Sequence, residues 1–166
     1  MMYNDDKYRP NEVEVISLKY YIKSMSSSQM IIIRNLEAHT DEIIEHIIKL
    51  VLMPGHSARN HWKSEIAAQI KSVKKLDGKN RFPTADQLYA WTYKKDQDLV
   101  TDEKWMKVTI EEIEDEYNIE VTDTVNSICV RVDEICQNYF RWLADELSDA
   151  GKVTSSRIYQ KLDELL

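Results

Sequence analysis

Residues Ile43–Ile66 read IIEHIIKLVLMPGHSARNHWKSEI. Up to Met53 the apolar positions 43, 44, 47, 48 and 51 recur at helical spacing. Pro54-Gly55 then ends the helix, because proline has no N–H to continue the ladder and glycine tolerates the turn that follows. Beyond the turn, Trp62, Ile66, Ile70 and Val73 fall on one helical line. The stretch therefore predicts two helices joined by a tight turn, and it points to an all-α fold.

Working outward, the same pattern continues. Ile32, Ile33 and Leu36 extend the first helix of the hairpin back to about Ser28, with Ser24–Gln29 as a turn and N-cap. A further helix is expected over 11–25, after Pro10, and residues 1–10 read as a loosely ordered tail. The Trp62 helix should run from about Ser57 to Leu76 and stop at Asp77-Gly78. Residues 79–83 read as a loop. Thr84-x-x-Gln87 is a capping-box pattern opening a helix over 85–95. Thr101 or Asp102 should cap the next, which reaches about Asn118.

The strongest periodicity follows. Val125, Ile128, Cys129, Val132, Ile135, Cys136, Tyr139, Phe140, Leu143 and Leu147 keep one face for roughly six turns. A long central amphipathic helix is expected over about 123–149, ending at Gly151. Thr154 or Ser155 should cap a last helix over 156–166. Strand signals are weak: Val13–Ile16 alternates briefly and Ile119–Val121 is too short. Three glycines and three prolines in 166 residues provide too few turns for a sheet-rich fold. The expectation is a single domain over 1–166, an all-α bundle of six or seven helices.

The composition, 43% hydrophobic and 31% charged, is that of an ordinary globule. No apolar run has the length of a membrane span, and MMYNDDKYRP lacks the apolar core of a secretory signal. Cys129 and Cys136 are two turns apart on one predicted helix, about 10.5 Å, too far for a mutual disulfide. They read as buried thiols, and a cytoplasmic location in a bacterial or phage setting is expected.

The net charge of −7 is unevenly distributed. Between His56 and Arg81 seven basic residues face two acidic ones, a balance of +5. Between Asp96 and Asp149 sixteen acidic residues face four basic ones, a balance of −12. A dense acidic helical surface can occupy a partner's basic groove. The acidic run Glu111, Glu112, Glu114, Asp115 and Glu116 is the candidate partner-binding surface. The expected partner is another protein, including one that itself binds nucleic acid.

Three other constellations carry possible chemistry. His39, Glu42 and His46 share one helix face, as metal ligands in helical bundles do, but no matching pair stands on another helix. A histidine at the core edge, bonded to backbone or carboxylate, is the simpler reading. The basic residues Arg59, Lys71, Lys74, Lys75, Lys79 and Arg81 could contact a nucleic-acid backbone, with Trp62 as a stacking platform, unless Trp62 faces the core. Glu112 and Asp115 with Glu146 and Asp149 could hold Mg²⁺ against a polyphosphate if they met in one cleft. Nucleophilic triads, phosphate-binding glycine loops and Cys-x-x-Cys pairs are absent from the sequence.

Two family resemblances bear on these readings. The hairpin, through His46-Ile47-Ile48-Lys49, Pro54, Arg59 and Trp62-Lys63-x-x-Ile66, resembles the bacterial helical family catalogued as domain of unknown function twenty-nine, over residues 40–70. That resemblance implies an all-helical bundle and supplies no activity. Glu111-Glu112-x-x-Asp115 and Glu146-x-x-Asp149 are loosely similar to the paired acidic motifs of the MazG-like nucleotide pyrophosphohydrolases. In that family the first motif ends in glutamate, the two motifs lie closer together, and an apolar run follows where this chain has Ala150-Gly151-Lys152.

The favoured expectation is a non-catalytic protein-binding regulator or inhibitor, with no cofactor and no resident metal. The alternatives are a Mg²⁺-dependent pyrophosphohydrolase and a nucleic-acid-binding protein. The long apolar stripe leaves a homo-oligomer open, since such a face packs equally well within one chain or against a copy.

Overall fold

The computed structural model describes residues 25–71 and 83–166. The expected helix over 11–25, save its last residue, and the Val13–Ile16 segment lie outside the described residues, as do Lys74, Lys75, Lys79 and Arg81. Among the described residues the chain is all-α and contains no strand. The helices are α1 (Ser27–Leu52), α2 (Arg59–Ile70), α3 (Ala85–Tyr89), α4 (Lys95–Val100), α5 (Glu103–Tyr117), α6 (Val125–Ala150) and α7 (Ser155–Leu165). A π-helical turn, Ala90–Lys94, joins α3 to α4. Among the described residues no helix is long and apolar enough to cross a membrane.

Local chemistry sets the ends of these helices. Ser26 and Thr84 each form a reciprocal capping box, with Gln29 and Gln87 respectively. Asp102 accepts the N–H groups of Lys104 and Trp105, and Thr124 and Thr154 accept those of Ser127 and Arg157. At the other ends, α5 closes on Asn118 (φ 52°) and α6 on Gly151 (φ 71°), both left-handed. Gly151 suits that conformation because it has no Cβ to clash, and Asn is among the few residues that also tolerate it.

α6 is the spine. α1, α3, the π turn, α4, α5 and α7 all pack on it. Its stripe from Ile128 to Leu147 is buried within this one chain, which answers for that face the question of whether a copy must cover it. α1 buries Ile32, Ile33, Leu36, Ile43, Ile44, Ile47 and Ile48 against α2, the π turn and α6. α2 sits between α1 and α7. Trp62, Ile66 and Ile70 are in the core as the periodicity requires, while Trp91, Trp105 and Trp142 pack half-buried at its margin. Cys129 and Cys136 are buried free thiols, and burial pushes both thiols up, Cys136 well above the ordinary cysteine value.

Two element boundaries depart from the sequence expectation. α2 begins at Arg59 instead of Ser57, because His56 Nδ1 accepts the Ala58 N–H (3.0 Å) and holds the turn open for two more residues. The helix opened by Thr84 does not stop near Lys95. It passes through the π turn and continues to Val100. The wider i→i+5 turn changes the helix register at the point where Tyr93 must enter the core. Tyr93 is fully buried, lies parallel to Phe140 at 5.1 Å, and donates its hydroxyl to Asp133 (2.5 Å). Gln137 donates to the other oxygen of that carboxylate (2.9 Å). Burial above all, with the nearby Cys136 and Asp133, raises the Tyr93 phenol far above its usual range, so it stays a neutral donor.

Tyr139 is the counterpart. Its ring is equally buried, but its hydroxyl finds no hydrogen-bond partner among the described residues. A buried hydroxyl without a partner costs stability, and one that donates to a carboxylate contributes it. Tyr139→Phe should leave thermal stability unchanged or raise it by up to about 1 kcal/mol, whereas Tyr93→Phe should lower it by roughly 1.5–3 kcal/mol. Thermal or urea denaturation of the two variants measures the difference. Equal losses would refute the contrast.

Candidate protein-binding surface

The outer face of α5 is built from the residue types the sequence reading singled out. Val108, Glu111, Glu112 and Asp115 stand three and four residues apart, so they share one side of the helix. All four are exposed, Val108 to 50%. The opposite side, Met106, Thr109, Ile110 and Ile113, is buried. Glu111, Glu112 and Asp115 form no ion pair among the described residues.

The other two predicted members of the run have partners on neighbouring elements. Glu114 Oε2 accepts the backbone N–H of Val121 (3.0 Å) and pins the loop after α5. Glu116 lies 4.0 Å from Lys49 Nζ, which also meets Glu45 at 3.7 Å. Lys49 is only 7% exposed, and its ammonium lies 5.4 Å from the Tyr117 ring centroid. The predicted run of five carboxylates is thus three with no ion pair among the described residues and two with partners in the fold, of which Glu116 is itself exposed.

A ring cluster sets where α5 ends. His56 stacks on Trp62 at 5.1 Å, and Tyr117 meets both edge-on at 5.5 Å. Such pairs add roughly 0.5–1.5 kcal/mol beyond the area they bury. The Pro54-Gly55 turn therefore brings together a histidine from the turn, a tryptophan from α2 and the last residue of α5. That contact places the acidic end of α5 beside the C-terminal end of α1.

Next to it lies a hollow of about 300 Å³. It is lined by the apolar Val51, Leu52, Val121 and Ile128 and by the polar Glu120, Thr122, Asp123, Ser127 and Arg131. Sequence reasoning missed this feature. The only signal was Ile119–Val121, dismissed as too short for a strand, with two acids around it.

The alternative constellations are placed differently. Glu112 and Asp115 belong to the end of the bundle where α6 begins. Glu116 meets Lys49 there, and the hollow beside it reaches Arg131. Glu146 stands 15 residues further along α6 than Arg131, about 22 Å of helix axis, and pairs with Arg157 at 2.6 Å. Asp149 lies a further turn away and is exposed. The four carboxylates expected to converge are thus separated by most of the length of α6, and among the described residues no group of three or more His, Cys, Asp or Glu is placed to hold a metal ion. His46 Nδ1 is bonded to the Glu42 carbonyl (2.6 Å), which is the core-edge arrangement and not a ligand set.

Of the basic candidates, Arg59 meets Asp163 (3.4 Å) and the Pro54 carbonyl, and Lys71 is exposed. Trp62 is 2% exposed, so it offers no face to a base. Lys63, 6% exposed, is bonded to Asp163 at 3.0 Å and sits 5.7 Å from the Tyr159 ring. These contacts fasten α2 to α7.

Comparison of the chain with protein-family models, with curated proteins and with solved structures gives no match.

The α2–α7 fastening has a pH signature. The hydrogen bond from Lys63, with the Lys63 and Arg59 charges, holds the Asp163 carboxyl below the ordinary aspartate range. Its stabilising effect is therefore complete above the unfolded value near 3.9 and disappears as pH falls through the lower folded value. Asp163→Asn should cost roughly 0.5–1 kcal/mol at pH 7, after discounting for its exposure. It should also flatten the stability curve below about pH 4. Urea denaturation between pH 2.5 and 7 measures both, and an unchanged acid limb would show that Asp163 does not contribute to it.

Proposed function

We propose that the protein is a non-catalytic binding protein, a regulator or inhibitor, that engages another protein through the outer face of α5. The observation that supports this is the placement of Glu111, Glu112 and Asp115 in the turns after the exposed Val108, with the exposed Lys104 and Lys107 on its N-terminal side, on a helix whose other side is fixed in the core. Asp115 also lies in the last turn of α5, where the helix dipole disfavours an anion, and that turn carries no basic residue. A charge that works against its own helix, with no ion pair to answer it among the described residues, is a departure from local consistency of the kind found at functional surfaces. Three carboxylates to one side of an apolar residue suit a partner surface that sets basic residues beside an apolar contact. A cytoplasmic location accords with two buried free thiols.

The test is a paired capture. The chain and its Glu111→Lys/Glu112→Lys/Asp115→Lys variant are used as baits in lysate of the cells that encode it, at low and high salt. A basic protein retained by the natural chain, weakened by salt and lost from the variant, is expected. Placing lysines near the C-terminal end of α5 should leave thermal stability unchanged or raise it by a few tenths of a kcal/mol. Loss of binding would therefore not be loss of fold. Equal capture by both baits, or capture by neither, would overturn the reading.

A further inference from the structure

The hollow beside α5 gives the proposed interface a more specific chemistry. Its apolar part comes from two elements and the loop between α5 and α6: Val51 and Leu52 end α1, Val121 lies in the loop, and Ile128 is in the first turns of α6. Two carboxylates from the same loop, Glu120 and Asp123, also line it and are exposed. The cation among the lining residues, Arg131, reaches the Leu166 carbonyl at 3.5 Å, leaving the lining with one net negative charge.

The loop that carries the carboxylates is held at both ends and in the middle. Asn118 turns the chain out of α5, with the Ile119 N–H on the Glu114 carbonyl (3.1 Å). Glu114 Oε2 holds Val121 (3.0 Å), and Thr124 caps α6. A pocket formed this way needs little ordering when it is filled.

We infer that this hollow is the anchor pocket for one arginine or lysine side chain of the protein partner, an inference that rests on the reading of α5 above. The side chains of those two residues are apolar stems with a charged head. The stem can lie along Val51, Leu52 and Val121 among the lining residues, and the head meets Glu120 and Asp123 in charge-assisted hydrogen bonds. About 300 Å³ is the lower end of the range for small ligand sites, and it suits a single side chain. The pocket adjoins the acidic end of α5, so one basic surface covers both.

The probe is a capped Gly-Arg-Gly peptide, titrated to millimolar concentration against the full chain and followed by amide NMR shifts. Saturable shifts of Val121, Asp123, Ser127 and Arg131 are expected, with no such response to capped Gly-Gln-Gly. The Glu120→Gln/Asp123→Asn variant, altered only at exposed loop positions, should bind the arginine peptide roughly three- to tenfold more weakly. The pocket is overturned if those amides do not move, if the glutamine peptide moves them equally, or if the variant binds as tightly. Shifts confined to Glu111, Glu112 and Asp115 would overturn the pocket while leaving the α5 reading intact. A responding pocket combined with equal capture by the lysine-reversed bait would instead refute α5 alone.

Discussion

Burial of one face of α6 is the constraint on which the bundle depends. Ten residues of this helix are buried, and six other elements are in contact with it. At about 25 cal/mol per Å² of apolar area, a fully buried Leu or Phe contributes about 1.5–3 kcal/mol, so this stripe outweighs any surface ion pair in the molecule. The other elements are arranged so that each covers part of it. The π turn is the clearest consequence: a regular helix from Ala85 to Val100 would keep one register throughout, and the widened turn changes it where Tyr93 packs on Phe140 and reaches Asp133.

The second constraint is the ring cluster of His56, Trp62 and Tyr117. It joins the α1–α2 hairpin to α5, two parts of the chain that the sequence separates by some fifty residues. Because Tyr117 is the last residue of α5, its position also fixes where the loop 118–124 begins. The candidate surface is therefore set by aromatic packing from the core side. The charges on it are not needed to hold the helix in place.

Much of this was legible because its causes are local. Helical period, the N-cap within Ser24–Gln29, the Thr84–Gln87 box, the Pro54-Gly55 turn and the Gly151 stop act within a few residues, and each can be read without knowing the fold. The α6 stripe is legible for the same reason. What could not be read depends on residues distant in sequence. Nothing around Tyr93 announces a π turn, since the carboxylate that accepts its hydroxyl lies forty residues away. Nothing around Lys63 announces its burial, since Asp163 is a hundred residues away. The acidic run is visible as composition, but which of its members find partners in the fold is decided by Val121 and Lys49.

The same long-range pairing changes the meaning of the charge asymmetry. Read along the chain, a basic segment and an acidic segment suggest two opposed faces. In the fold, two of the basic segment's residues, Arg59 and Lys63, are taken up by Asp163. Arg141 meets Asp86 at 2.8 Å and Asp145 at 3.7 Å, and Arg157 meets Glu146. Each of these pairs joins neighbouring elements or turns, and each removes one charge of either sign from the field a partner would meet. Among the described residues, the carboxylates of Glu111, Glu112, Asp115, Glu120 and Asp123 take part in no such pair. All five are exposed and stand on or directly after one helix, and Arg131 is the cation lining the hollow. A net charge summed over the chain would miss this local excess. Long-range attraction toward a basic partner is governed by that excess within about a Debye length of the surface, roughly 8 Å at physiological ionic strength. On the reading proposed above, the basic partner approaches the end of the bundle where α5 gives way to α6, beside the hollow that Val51, Leu52, Val121 and Ile128 line together with Glu120, Asp123 and Arg131.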